Sequence, residues 1–168
     1  NVTDPVITAG VSIKKTGYAQ TMNNNIMRWT VSGVRNDSTT SLQSFYWRDT
    51  LPTDAVRLTR LVTGTYSTTQ TYKVTFTTNL NSQWRTAYDN LSTAKNYTLD
   101  MSSAALGLAS NEYVTQFMLS FGIVPAGFHQ LTNATVDAQT LYALTNGYKF
   151  TNKADVGGLL GGNWVQSI

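Results

Sequence analysis

Residues able to do chemistry are sparse in this chain of 168 residues. Cysteine is absent, which excludes disulfides, thiolate metal sites and cysteine nucleophiles. His129 is the single histidine. A histidine-based triad would rest on it alone, and no Gly-x-Ser-x-Gly elbow occurs. One histidine without clustered acids also lacks the ligands for a metal. The nine carboxylates are too widely spaced for a calcium loop. The expectation is a protein that is not an enzyme and holds no metal or cofactor. What remains is the pair Lys14-Lys15, Asp49 ahead of Leu51-Pro52, the lone glutamate Glu112, Asn152 late in the chain, and four tryptophans.

These side chains must be held by strands. Charged residues make up only 12 % of the chain, about half the usual share. Thr, Ser and Asn supply the polarity instead, a bias that suits strands and turns rather than helices. Val6 to Lys15 reads as a first strand, with Val11 and Ile13 inward and the two lysines on opposite faces. Ile26 to Val34 and Leu42 to Arg48 read as a hairpin around a polar turn, closed by Asp49-Thr50-Leu51-Pro52. Ala55 to Val62 is a further strand. Thr71 to Thr78 alternates most cleanly, with Tyr72, Val74 and Phe76 on one face. Gln83 to Tyr88 predicts a short strand, and Ser102 to Leu108 a helical turn capped by Ser102. Glu112 to Val124 is apolar on both faces, with Phe117, Leu119, Phe121 and Ile123 together, and is expected at the centre of a sheet. Gln130 to Leu144 contains one strand and Tyr148 to Asn152 another. The glycine pairs 157–158 and 161–162 then break the chain before a last strand at Trp164 to Ile168. About ten short strands with little helix predict one antiparallel β-sandwich over residues 1–168, with at most one short helix. A closed barrel is the alternative.

The order Lys14-Lys15-Thr16-Gly17, a strand, Val34-x-Asn36-x-Ser38, Leu42 and Asp49-x-Leu51-Pro52 resembles the immunoglobulin-like surface repeats of Gram-positive bacteria. This is the family labelled domain of unknown function eleven, and it is similar to collagen-adhesin domains. The match covers roughly the first third of the chain. Later segments, ASNEYVTQFMLSFGIVPAGF and GYKFTNKADVGG, resemble companion pieces of clostridial surface proteins. The resemblance implies an immunoglobulin-like stalk or adhesin module, extracellular or in the cell wall, without catalysis on an external substrate. Its partners would be a host or cell-wall protein or glycan and neighbouring domains of the same chain. No sortase signal is present, so the resemblance does not extend to wall anchoring.

Related surface domains condense a lysine amine with an asparagine amide beside a buried carboxylic acid. The amine must be neutral to attack and the acid protonated to polarise the amide, and burial favours both. Proximity then replaces a large entropic barrier. The resemblance places the lysine early and the asparagine late, so the candidates are Lys14 or Lys15 with Asn152, and Asp49 or Glu112 as the acid. The competing readings are a solvated lysine, a turn asparagine, and Asp49 paired with Arg48 or Arg28. An ester between a threonine and Gln130 near His129 is a looser pattern of the same kind.

The tryptophans divide. Trp29 and Trp47 lie within the two strands of the expected hairpin and should pack in the core. Trp84 and Trp164 lie nearer turns and are candidates for stacking on sugar rings, which makes a carbohydrate-binding module the alternative function. Net charge is +3 with no basic stripe, so nucleic acid is not an expected partner. No apolar run approaches the length of a membrane-spanning helix. The chain begins at Asn1 without a signal-peptide pattern and reads as a piece of a longer or processed polypeptide.

Overall fold

A computed structural model describes residues 6–18, 25–142 and 152–168. Among the described residues there are thirteen strands and no helix. One antiparallel sheet has the order β1 (Val11–Tyr18), β2 (Ile26–Asn36), β11 (Ala134–Thr140), β4 (Val56–Val62), β8 (Thr98–Asp100). The second has the order β13 (Asn163–Ser167), β12 (Lys153–Leu160), β3 (Leu42–Thr50), β9 (Val114–Val124), β6 (Thr71–Thr78), β7 (Arg85–Ser92). A small ribbon pairs β10 (Gln130–Thr132) with β5 (Thr65–Tyr66). The all-β, antiparallel character expected from composition is therefore present. A continuous apolar cluster fills the space between the sheets, with Trp47, Phe45, Phe117 and Leu119 fully buried. No described helix is long and apolar enough to cross a membrane.

The expected hairpin is not one. β2 and β3 lie in different sheets, and residues 37–41 arch between them. The arch is held by Asn36, which has no exposed surface. Its Nδ2 donates to the carbonyls of Thr40 (3.1 Å) and Pro125 (3.0 Å), and its Oδ1 accepts from Ser38 N (3.0 Å). A run of turn formers marks where the chain reverses but not which sheet it enters next.

Three phase shifts occur near this end of the molecule. In β2 the buried positions are 27, 29 and 31, then 34 and 36, and the shift falls at Gly33 with φ of 65°. In β3 both Leu42 and Phe45 are buried around Ser44, φ 50°. In β9 Gly122, φ 72°, turns Ile123 out to 64 % exposure and brings Val124 inward. These are β-bulges, where one extra residue changes the side that the following residues face. They correct the expectation that Ile123 joins Phe121, and the one at Gly33 breaks the period-two pattern of the strand expected at Ile26 to Val34.

Other boundaries also move. β6 matches the expected strand, and β9 is internal to its sheet as expected. Residues 102–108 form hydrogen-bonded turns in which Ser102 Oγ accepts from Ala105 N. Residues 130–140 hold two strands rather than one. The first glycine pair does not break the chain. β12 passes through Gly157 and Gly158, because a Cβ there would stand 2.9 Å from Tyr46 and Leu42 respectively. Gly161 and Gly162, at φ 56° and 81°, do make the turn to β13. Of the strand expected at Tyr148 to Asn152, residues 148–151 lie outside the described residues; Asn152 directly precedes β12.

Removing the Asn36 side chain leaves the buried Ser38 N–H and the half-buried Thr40 carbonyl without that partner, while Pro125 O keeps its bond from Phe128 N. Asn36→Ala should lower stability by about 2–3 kcal/mol, read as an earlier urea midpoint with an unchanged slope.

Candidate functional site

Lys15 and Asp49 meet between the two sheets. β1 is the edge of its sheet and pairs with β2 through Lys15–Val31 and Gly17–Trp29. Lys15 points inward, while Lys14 faces solvent. On β3, Asp49 follows Trp47 on the core side and lies opposite Phe117 of β9 and Ala154 of β12. Asn152, two residues before Ala154, follows the same alternation towards the interior.

Lys15 Nζ is 2.5 Å from Asp49 Oδ2, and Asn152 Nδ2 donates to the same oxygen at 3.3 Å. The Asp49 side chain has no exposed surface and that of Lys15 is 10 % exposed. Trp29 covers the amine, its ring centroid 5.5 Å from Nζ. Gly17 permits this, since a Cβ there would lie 2.6 Å from Trp29 Cδ1. Two oxygens in the cluster, Asp49 Oδ1 and Asn152 Oδ1, are buried without a hydrogen-bond partner.

The electrostatics run towards neutrality. Burial pushes the Asp49 carboxyl up to about 6, against the opposing pull of Lys15 and the Asn152 amide. Burial likewise lowers the Lys15 amine, more than Asp49 restores it. A protonated Asp49 gains an O–H to donate, and Asn152 Oδ1 is an unsatisfied acceptor next to it. Turning the Asn152 amide over would place that oxygen on the carboxyl. The arrangement therefore offers a desolvated amine, an amide and an acid in one apolar enclosure. A cavity of about 400 Å³ borders Lys15 and Asn152 and lies against Ile13 and Ile168.

The remaining candidates lie elsewhere. Glu112 accepts from Thr78 Oγ1 (2.6 Å) and Arg85 Nη2 (2.7 Å), contacts that hold its carboxyl below the ordinary value. It is not joined to either lysine, and an acid kept ionised cannot donate a proton. The pairing of Asp49 with Arg48 or Arg28 is also not observed. Arg48 chelates Asp155, and Arg28 joins Arg60 on Asp137. Gln130 spends its amide on backbone, accepting from Val34 N and donating to Val31 O. His129 Nδ1 contacts Gly127 O in a turn. Among the described residues no group of three or more potential ligands gathers for a metal.

Trp29 and Trp47 are core residues at 5 % and 0 % exposure, whereas Trp84 and Trp164 are 38 % and 53 % exposed. The latter two line one cavity of about 580 Å³ on the outer face of the six-stranded sheet. Tyr46, Arg48, Lys73 and Gln166 line it too and were not among the residues expected to meet a sugar, although β3 and β6 alternate there. No protein-family model matches this sequence, and no curated protein matches it.

The titration of Asp49 gives a testable slope. A carboxyl raised by folding contributes stability below its ordinary value of 3.8, and that contribution is lost as pH climbs through about 6. Lys15, lowered from 10.5, acts with the opposite sign: its contribution is present above 10.5 and is lost as pH falls through its lowered value. In Asn152→Ala, the melting temperature should fall between pH 4 and pH 6. Adding Asp49→Asn should flatten that slope, which a series of thermal melts will show.

Proposed function

We propose that this chain is a non-catalytic structural and adhesive module of a bacterial cell-surface protein, of the immunoglobulin-like repeat type, locked by an amide bond between Lys15 and Asn152. The observation that carries the reading is the convergence of the Lys15 amine and the Asn152 amide on one oxygen of a fully buried Asp49.

The chemistry balances without a cofactor. The neutral Lys15 Nζ attacks Cγ of Asn152 while the protonated Asp49 polarises Oδ1. The amine proton passes through the Asp49 carboxylate to the departing nitrogen. A C–N bond forms, another breaks, and ammonia leaves. Holding the groups in contact can account for about 7–11 kcal/mol of the barrier. The product also removes the charge problem, because a secondary amide cannot be protonated at neutral pH and Asp49 retains a neutral partner.

Such a bond ties β1 to the start of β12 in a chain with no cysteine. By the chain-entropy argument used for disulfides, a cross-link closing the loop from residue 15 to residue 152 stabilises by about 5 kcal/mol. That is a means of persistence for a surface protein lacking disulfides.

The test is the intact mass of the full chain. The expected value is the sequence mass less one ammonia, with a cross-linked peptide joining residues 15 and 152 after digestion. Lys15→Ala, Asn152→Ala and Asp49→Ala should give unmodified masses and a melting temperature lower by about 10–20 °C, while Lys14→Ala and Glu112→Gln keep the loss. An unmodified wild-type mass would overturn the reading. Loss of one water instead would put the bond on Asp49 and remove Asn152 from its role.

A further inference from the structure

The outer face of the six-stranded sheet carries a second feature that the bond does not use. Its cavity of about 580 Å³ is within the usual range for ligand sites. Trp164 stands on edge strand β13, and Trp84 immediately precedes edge strand β7. Between them lie β12, β3, β9 and β6, so the backbones of the two edge strands are about 24 Å apart at ordinary strand spacing, and the two indoles reach into the cavity from either side. The floor is built from outward residues of these strands, including Tyr46, Lys73 and Ser120.

We infer that this face is a glycan-binding groove, which takes an extended, uncharged oligosaccharide laid across the strands with its rings on Trp164 and Trp84. Three observations choose this occupant. First, the aromatic surface is offered at both ends as rings, the form that suits the C–H faces of sugars. Second, donors and acceptors converge between them without partners of their own. The indole N–H groups of Trp84 and Trp164, the Lys73 amine and the Ser120 hydroxyl make no hydrogen bond among the described residues. Third, the charges are balanced and partly committed. Lys73 and Asp89 bring opposite signs, and Arg48 is chelated by Asp155 at 2.9 and 2.7 Å. An anionic polymer would meet no basic track here. A peptide adding as a strand would find no free ladder on the floor, whose four strands are paired on both sides, and would have to lie along the outer edge of β13 or β7, away from the cavity.

The Trp164 end is pre-organised. Tyr46 packs edge-on to Trp164 with ring centroids 5.9 Å apart. Its hydroxyl accepts from Gln166 Nε2 at 3.0 Å and contacts Asp155 Oδ2 at 3.1 Å. Fixed side chains of this kind lower the ordering cost of binding. The inference names a partner class for the adhesive part of the proposed function, and it rests on that part alone. Intact mass reports on the bond and sugar titration on the groove, so either can fail without the other.

The experiment titrates the full chain with cellohexaose, chitohexaose and mannohexaose, following tryptophan fluorescence and heat. A heparin hexasaccharide and an extended peptide serve as the other classes. Expected is saturable binding of at least one neutral hexasaccharide. Trp84→Ala and Trp164→Ala should each weaken it about tenfold or more, with melting temperatures within about 5 °C of the wild type. Tyr46→Phe should weaken it less. The proposal is overturned by no saturable binding to any of the three, by affinity unchanged in the double tryptophan variant, or by binding confined to heparin or the peptide.

Discussion

A carboxyl group with no access to water, set between two sheets, is the constraint on which this structure turns. Ionised and alone, Asp49 would cost several kcal/mol. Its surroundings answer that cost by supplying an amine from the opposite sheet and an amide from the residue that leads into the neighbouring strand. The amine is itself desolvated, so the pair is held in the state each member finds least costly without solvent. The edge strand β1 is thereby tied to the second sheet through a polar contact as well as apolar packing. Trp29 seals the enclosure, and Gly17 gives the indole its room.

Strand β3 links this interior to the exterior. Trp47 and Asp49 face the core, while Tyr46 and Arg48 face the groove. Trp47 is held by its indole N–H on Tyr66 Oη at 2.9 Å and packs against Phe117. A strand fixed this firmly on one side is a rigid floor on the other. Rigid floors suit recognition by side chains whose positions do not need to be won on binding.

The sequence made some of this legible and hid the rest for identifiable reasons. Thr71 to Thr78 could be read because its alternation is unbroken. Asp49 could have been chosen over Glu112, since it continues the inward phase of Trp47 whereas Glu112 precedes β9. Lys15 over Lys14 depended on which residues of β1 face inward, and Val11 and Ile13 carried that phase. The assignment of β2 and β3 to separate sheets was not readable, because a polar turn is compatible with a hairpin and with an arch. β12 was obscured by Gly157 and Gly158, which look like punctuation but make space for Tyr46 and Leu42. The groove depends on strands distant in sequence coming side by side, which no local pattern records.

The three bulges at Gly33, Ser44 and Gly122 bear on how this fold can change through time. Each works as a one-residue insertion that reverses the side presented by everything beyond it. A lineage that lost any one of them would turn the following strand segment inside out, sending Val34, Phe45 or Val124 outward. Substitutions in these strands can accumulate singly, but changes of length must come in compensating pairs. The strands around the arch are therefore expected to diverge in letters while keeping their count.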